Sequence, residues 1–100
     1  MLKIETQTED KVLTISLIGR LDTTTAPELE ASVKENANDV DKLIFDLAQL
    51  EYVSSAGLRV FLASHKLMNS QGGSMIVKNV TEKVNEIFEL TGFSVILTIE

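Results

Sequence analysis

The sequence predicts an α/β fold: one domain over residues 1–100, with a mixed sheet of four to five strands, an N-terminal antiparallel hairpin and three main helices. Three observations point there. Apolar residues alternate with polar ones over the first twenty positions, later stretches carry apolar residues at spacings of three and four, and short apolar runs separate those stretches. At 100 residues, with 5 Gly and 1 Pro, the chain has the size of a single domain and shows no linker.

The chain opens as a hairpin. Leu2 and Ile4 alternate with Lys3 and Glu5, a polar Glu9-Asp10-Lys11 corner follows, and Leu13, Ile15 and Leu17 alternate with Thr14 and Ser16 until Gly19 ends the strand. Thr25-Ala26-Pro27-Glu28 starts a helix, with Thr25 as N-cap, Pro27 in the first turn and Glu28 placed to close a capping box. Ala26, Leu29, Val33, Ala37 and Val40 form its apolar stripe, Glu30 and Lys34 can pair at i, i+4, and it ends between Asn36 and Asn38. Leu43-Ile44-Phe45-Asp46-Leu47 reads as a short strand buried on both faces.

A second helix begins between Ser54 and Gly57. Leu58, Phe61, Leu62 and His65 mark its stripe, Val60, Ala63 and Leu67 fill the flank, and Arg59 and Lys66 lie on the wet face until Gln71-Gly72-Gly73 breaks it. Met75-Ile76-Val77 is the next strand; Thr81 caps a third helix with Val84, Ile87 and Phe88 inward, and Gly92 closes it. Val95 to Ile99 reads as a final short strand or extended tail. With strands and helices in this order, sites form at the carboxyl ends of strands where helices begin, here between Leu50 and Leu58.

Composition narrows the function. There is no Cys, so disulfides, thiolate metal sites and cysteine nucleophiles are excluded, and the single His65 cannot build a histidine metal site. No metal or cofactor is expected. A net charge of −6 repels nucleic acid. The N-terminus lacks the apolar run of a signal peptide, and no apolar stretch approaches the ~20 residues of a membrane span, so the expected location is the cytoplasm. No G-x-S-x-G elbow, P-loop or H-E-x-x-H is present, and Glu9-Asp10 precede a strand where a receiver domain would need them to follow it. The chain is expected to be no enzyme.

Two hydroxyls remain of interest, in Tyr52-Val53-Ser54-Ser55-Ala56-Gly57-Leu58. Four N–H groups at a helix start lack internal partners and carry partial positive charge. Ser54 or Ser55 can therefore cap the helix, and a hydroxyl here can also accept phosphate. Asp22 begins a loop with Thr23 and Thr24 and reads as a turn residue or helix-dipole partner. Asp46 reads as a polar strand-end residue, Arg59 as either a partner contact or a solvated charge, and His65 as a packed side chain.

These residues resemble the STAS-domain anti-anti-sigma factors (anti-sigma factor antagonists) of bacteria, and the resemblance runs over nearly the whole chain. Gly19-Arg20-Leu21-Asp22 is similar to the family's G-x-[LI]-D, Asp46 stands at the D of its "LDL" run, and Tyr52 to Leu58 resembles its aromatic-apolar-D-S-[ST]-G-L signature. Gly72-Gly73 and Phe88-Glu89-Leu90-Thr91-Gly92-Phe93 resemble its Gly-Gly turn and F-x-[IL]-[ST]-G ending.

The resemblance implies a protein whose unphosphorylated form binds an anti-sigma factor and thereby frees the sigma factor. That partner doubles as a serine kinase of the histidine-kinase-like ATPase type, and a serine phosphatase of the PP2C type resets the switch. It implies phosphorylation at Ser55, with Ser54 the competing acceptor, and partner contacts from Asp22, Thr23, Thr24, Ser54, Ser55, Ala56, Gly57 and Arg59. Two positions depart from the pattern: Ser54 stands for the signature Asp, and Ala56 for the hydroxyl residue before Gly57. They leave an alternative, a non-phosphorylated STAS scaffold in a transporter, lipid-trafficking or other regulatory complex. Without an extra apolar surface stripe, the chain is expected to be a monomer that binds neither nucleic acid nor membrane.

Overall fold

Asp10 and Lys11 both take left-handed backbone conformations, φ 51° and 63°, the geometry of a two-residue hairpin turn that matches strand twist. The turn joins β1 (Leu2–Glu9) to β2 (Val12–Leu21), paired antiparallel from Leu2↔Gly19 to Glu9↔Val12. The computed structural model describes residues 1–100 and continues through α1 (Ala26–Asn36), β3 (Lys42–Val53), α2 (Ser55–Ser70), β4 (Ser74–Lys78), α3 (Glu82–Thr91) and α4 (Phe93–Ile96). The strands lie in the order β1-β2-β3-β4, with β2–β3 and β3–β4 parallel, so the carboxyl ends of β2 and β3 emerge side by side. This is the expected small α/β domain with a mixed sheet and an N-terminal hairpin.

A single core explains the arrangement. Leu13, Ile15 and Leu17 of β2, Leu43, Phe45 and Leu47 of β3, and Val77 of β4 meet Leu29 and Val33 of α1, Phe61 and Met68 of α2, and Val84 and Phe88 of α3. The alternate strand residues Thr14, Ser16, Ile44 and Asp46 stay half-buried and outside that cluster, so the helices cover one face of the sheet. The Leu43–Leu47 run is thus not buried on both faces as its apolar density implied. All five residues of the predicted α1 stripe are buried, and Glu30 and Lys34 pair at 3.3 Å on the wet side.

Several local expectations are corrected. β3 extends to Val53 because it carries two extra residues relative to β2, with register shifts opposite Ser16/Ile18 and Gly19/Arg20. Those bulges change the burial spacing from two to three, so Leu47, Leu50 and Val53 all face the core and the simple alternation is lost. Asp46 is therefore inside a strand, not at its end; its Oδ1 accepts from Ala48 N at 3.1 Å and Asn79 Nδ2 at 3.1 Å. β2 likewise continues past Gly19 to Leu21.

The last element is not a strand. Gly92 closes α3 in the left-handed conformation (φ 81°), and the chain turns at once into α4, a fourth helix in place of the three expected. Half-buried Phe93 and buried Leu97 anchor this turn, while Ile99 alone bridges to Val77. No helix is long and apolar enough to cross a membrane.

Candidate functional site

The two loops singled out by sequence leave adjacent strand ends and are stitched together by backbone. Ser54 N donates to Leu21 O at 2.8 Å, which ties the start of the β3–α2 turn to the end of β2. Asp22, Thr23 and Thr24 on one loop thereby stand beside Ser54, Ser55 and Ala56 on the other.

The first loop is organised by Asp22. Its Oδ1 accepts from Thr24 N at 3.0 Å, Thr25 N at 3.1 Å and Thr24 Oγ1 at 2.7 Å. The Thr24 hydroxyl, followed by burial acting in the opposite sense and then the backbone N–H groups, sets the balance that holds the Asp22 carboxyl below its ordinary pKa, so it is ionised at neutral pH. The capping box expected at Thr25 is absent. Thr25 takes helical backbone angles and makes no side-chain cap. Its buried Oγ1 instead accepts from Asp22 N at 2.8 Å and donates to Arg20 O at 3.0 Å, so Asp22 covers the helix start and Thr25 braces Asp22.

That brace is testable. Thr25→Val keeps the shape but strips the partner from a part-buried N–H and C=O, which should cost about 1–3 kcal/mol in urea denaturation. Thr25→Ser, which keeps the hydroxyl, should lose less than half of that; equal losses in both variants would show that the hydrogen bonds contribute nothing.

In the second loop the two serines divide the work. Ser54 is the N-cap of α2 in extended conformation, with its Oγ accepting from Gly57 N at 3.4 Å. Ser55 is the first helical residue, exposed, and its hydroxyl has no intrachain hydrogen bond. Gly57 is buried because α2 crosses the sheet closely here: a Cβ on it would lie 2.6 Å from Leu21 Cγ and 2.9 Å from Val53 Cγ2. Half-buried Ala56 and exposed Arg59 line an open hollow of about 480 Å³ between α1 and α2, together with Thr23, Pro27 and Glu30. All eight residues proposed from sequence thus fall on these two loops or the first five residues of α2.

One feature went unread in the sequence. Arg20 and Tyr52 are direct cross-strand partners, and the guanidinium carbon stands 4.4 Å from the ring centroid, a fixed cation at the edge of the site. Only the β2–β3 register, shifted by two bulges, places them together. His65 is half-buried and its Nε2 lies 3.4 Å from Asn69 Nδ2 on the same helix, as a packed side chain would. No group of three or more His, Cys, Asp or Glu is gathered where a metal ion could be held.

The arrangement offers no acid–base pair or nucleophile–base pair of its own. It presents Ser55, exposed and without an intrachain hydrogen bond, on the first turn of α2, beside the loop that carries exposed Thr23 and the ionised Asp22 carboxylate.

Known proteins share this plan. The STAS domain family model matches residues 3–100. Anti-sigma-B factor antagonist from Staphylococcus aureus (strain NCTC 8325 / PS 47) is 33% identical over 92 residues, covering 91% of this chain and 85% of that protein. The crystal structure of an anti-sigma factor antagonist from Mycobacterium paratuberculosis superposes with a TM-score of 0.87 at 24% identity, over 99% of this chain and 85% of the other. Unphosphorylated SpoIIAA, an anti-sigma factor antagonist, gives 0.82 at 19% identity, over 100% and 88%. On the family match and the close relative, the chain belongs to the STAS-domain family of anti-sigma factor antagonists.

Proposed function

We propose that this protein is a cytoplasmic partner-switching regulator without catalytic activity of its own, acting as a monomer. Unphosphorylated, it binds an anti-sigma factor that is also a serine kinase of the histidine-kinase-like ATPase type, and the sigma factor is released. The kinase ends the interaction by modifying Ser55. The Ser55 Oγ attacks the γ-phosphorus of ATP, the bond to the bridging oxygen breaks, ADP leaves, and the hydroxyl proton passes to a base on the kinase. A serine phosphatase of the PP2C type hydrolyses the phosphoester and restores binding.

The observation that carries this reading is the division between the serines: Ser54 Oγ is engaged in capping, whereas Ser55 is exposed and unbonded on the first turn of α2. A phosphate there meets the positive end of a 16-residue helix and is tolerated locally. Its effect falls on the partner, which must accommodate about −1.5 to −2 of added charge in a contact that was otherwise desolvated. Losing a central contact of that kind costs about 2 kcal/mol or more, roughly thirtyfold in affinity.

The test is phosphorylation of the purified chain by the kinase encoded beside it, read by mass spectrometry. One phosphate is expected on Ser55, none on Ser55→Ala, and at least thirtyfold weaker binding of the modified form. The alternative, a scaffold that never carries phosphate, draws its support from Ser54 and Ala56 at the two signature positions. It would be established by an unmodified Ser55 together with equal partner binding by Ser55→Ala and Ser55→Glu.

A further inference from the structure

Ser55 and Arg59 are four residues apart on α2, and both are exposed. Residues at i and i+4 stand one above the other on a helix with Cβ atoms about 5–6 Å apart, and an acidic group N-terminal to a basic one is the favourable order. The guanidinium fork matches phosphate oxygens with two parallel N–H···O bonds.

Arg59 is available for such a bond. The chain has two ion pairs, Lys3–Glu5 and Lys34–Glu30, and neither involves it. Of its two arginines, the other, Arg20, is stacked on Tyr52. The acid that shares the hollow with Arg59 is Glu30, already held by Lys34 at 3.3 Å. Asp22, on the adjoining loop, has its Oδ1 occupied by Thr24 and Thr25.

We propose that Arg59 is an intramolecular clasp for the phosphate on Ser55, folding back one helical turn to hold its oxygens. This rests on the reading of Ser55 as the acceptor and adds how the modified state is held. In the unmodified protein Arg59 faces the hollow between α1 and α2, free to meet an acidic group of the partner. Phosphorylation then does two things at once: it installs a dianion and withdraws a cation from the contact surface. Arg59 is a positioning residue, since it acts through the phosphate.

The experiment uses the full chain with phosphoserine installed at position 55 by genetic encoding, which needs no kinase. A ³¹P titration should place the second phosphate ionisation about half a pH unit lower in the wild-type chain than in Arg59→Gln, against an ordinary value of about 6. Arg59→Lys, a cation without the fork, should fall between them. Asp22 and Glu30 act in the opposite direction but are common to all three chains, so the differences isolate Arg59. The Arg59 Nε–H resonance should also move on phosphorylation at neutral pH.

Equal ionisation in wild type and Arg59→Gln, or an unmoved Nε–H signal, overturns the clasp. The two readings fail separately. If no kinase modifies Ser55 while the phosphate shift is present, the switch falls and the clasp stands; a kinase-modified Ser55 without the shift leaves the switch and removes the clasp.

Discussion

Phe61→Ala is expected to lower the unfolding free energy by about 3–5 kcal/mol, out of the 5–15 kcal/mol typical of a domain this size. Phe61 is fully buried and central to an aromatic file: its ring centroid lies 4.9 Å from Phe45 at 69° and 6.1 Å from Phe88 at 78°. Both are edge-to-face contacts, each contributing about 0.5–1.5 kcal/mol beyond burial. Through them one side chain of α2 joins the central strand β3 to α3. Truncation loses the transfer energy, both ring contacts and the filling of a cavity that three elements cannot collapse together. Phe61→Leu should lose markedly less. Urea denaturation at unchanged m-value measures both, and a Phe61→Ala loss below about 1 kcal/mol would show that the file does not hold the helices to the sheet.

Gly57→Ala is expected to destabilise the fold by about 1–2 kcal/mol and to displace the candidate site with it. Two effects compete. Alanine is better than glycine inside a helix by up to about 1 kcal/mol. Against this, the new Cβ would stand 2.6 and 2.8 Å from Leu21 side-chain atoms and 2.9 Å from Val53 Cγ2, and overpacking costs about 1–3 kcal/mol. Leu21 and Val53 are themselves buried at the strand ends, so they have little room to yield. Relief comes most cheaply by lifting the first turn of α2, which carries Ser54 and Ser55. A thermal or urea denaturation series should show the loss, and amide chemical shifts of residues 53–58 should move more than those of the rest of α2. A stabilised Gly57→Ala would mean that helix propensity outweighs the close approach.

Much of the architecture was legible in the residue order. The α1 stripe from Ala26 to Val40, the caps Thr81 and Gly92, and the hairpin corner at Asp10-Lys11 are set by residues within a few positions of each other, and each lies where the spacing placed it. What was misread depended on where the strands end and what they pair with. Thr25 has the residue type of a cap, yet its hydroxyl is better used between Arg20 O and Asp22 N, a choice that only the end of β2 can impose. Val95 to Ile99 has the composition of a strand, but beside β4 only Ile99 finds a pairing partner, and Phe93 and Leu97 are better buried through a helical turn.

The candidate site shows the same split. Sequence by itself named the residues, from Asp22 to Arg59, that the fold gathers at this edge, because the motif and the helix period are local features that survive without knowledge of the fold. Tertiary structure alone decided that Ser54 caps while Ser55 stands free, that Asp22 and Ser54 share one edge, and that Arg20 stacks on Tyr52. The reason is register. Each bulge in β3 adds one residue and turns the following side chains to the other face, so neighbours across β2 and β3 cannot be assigned until the strands are paired.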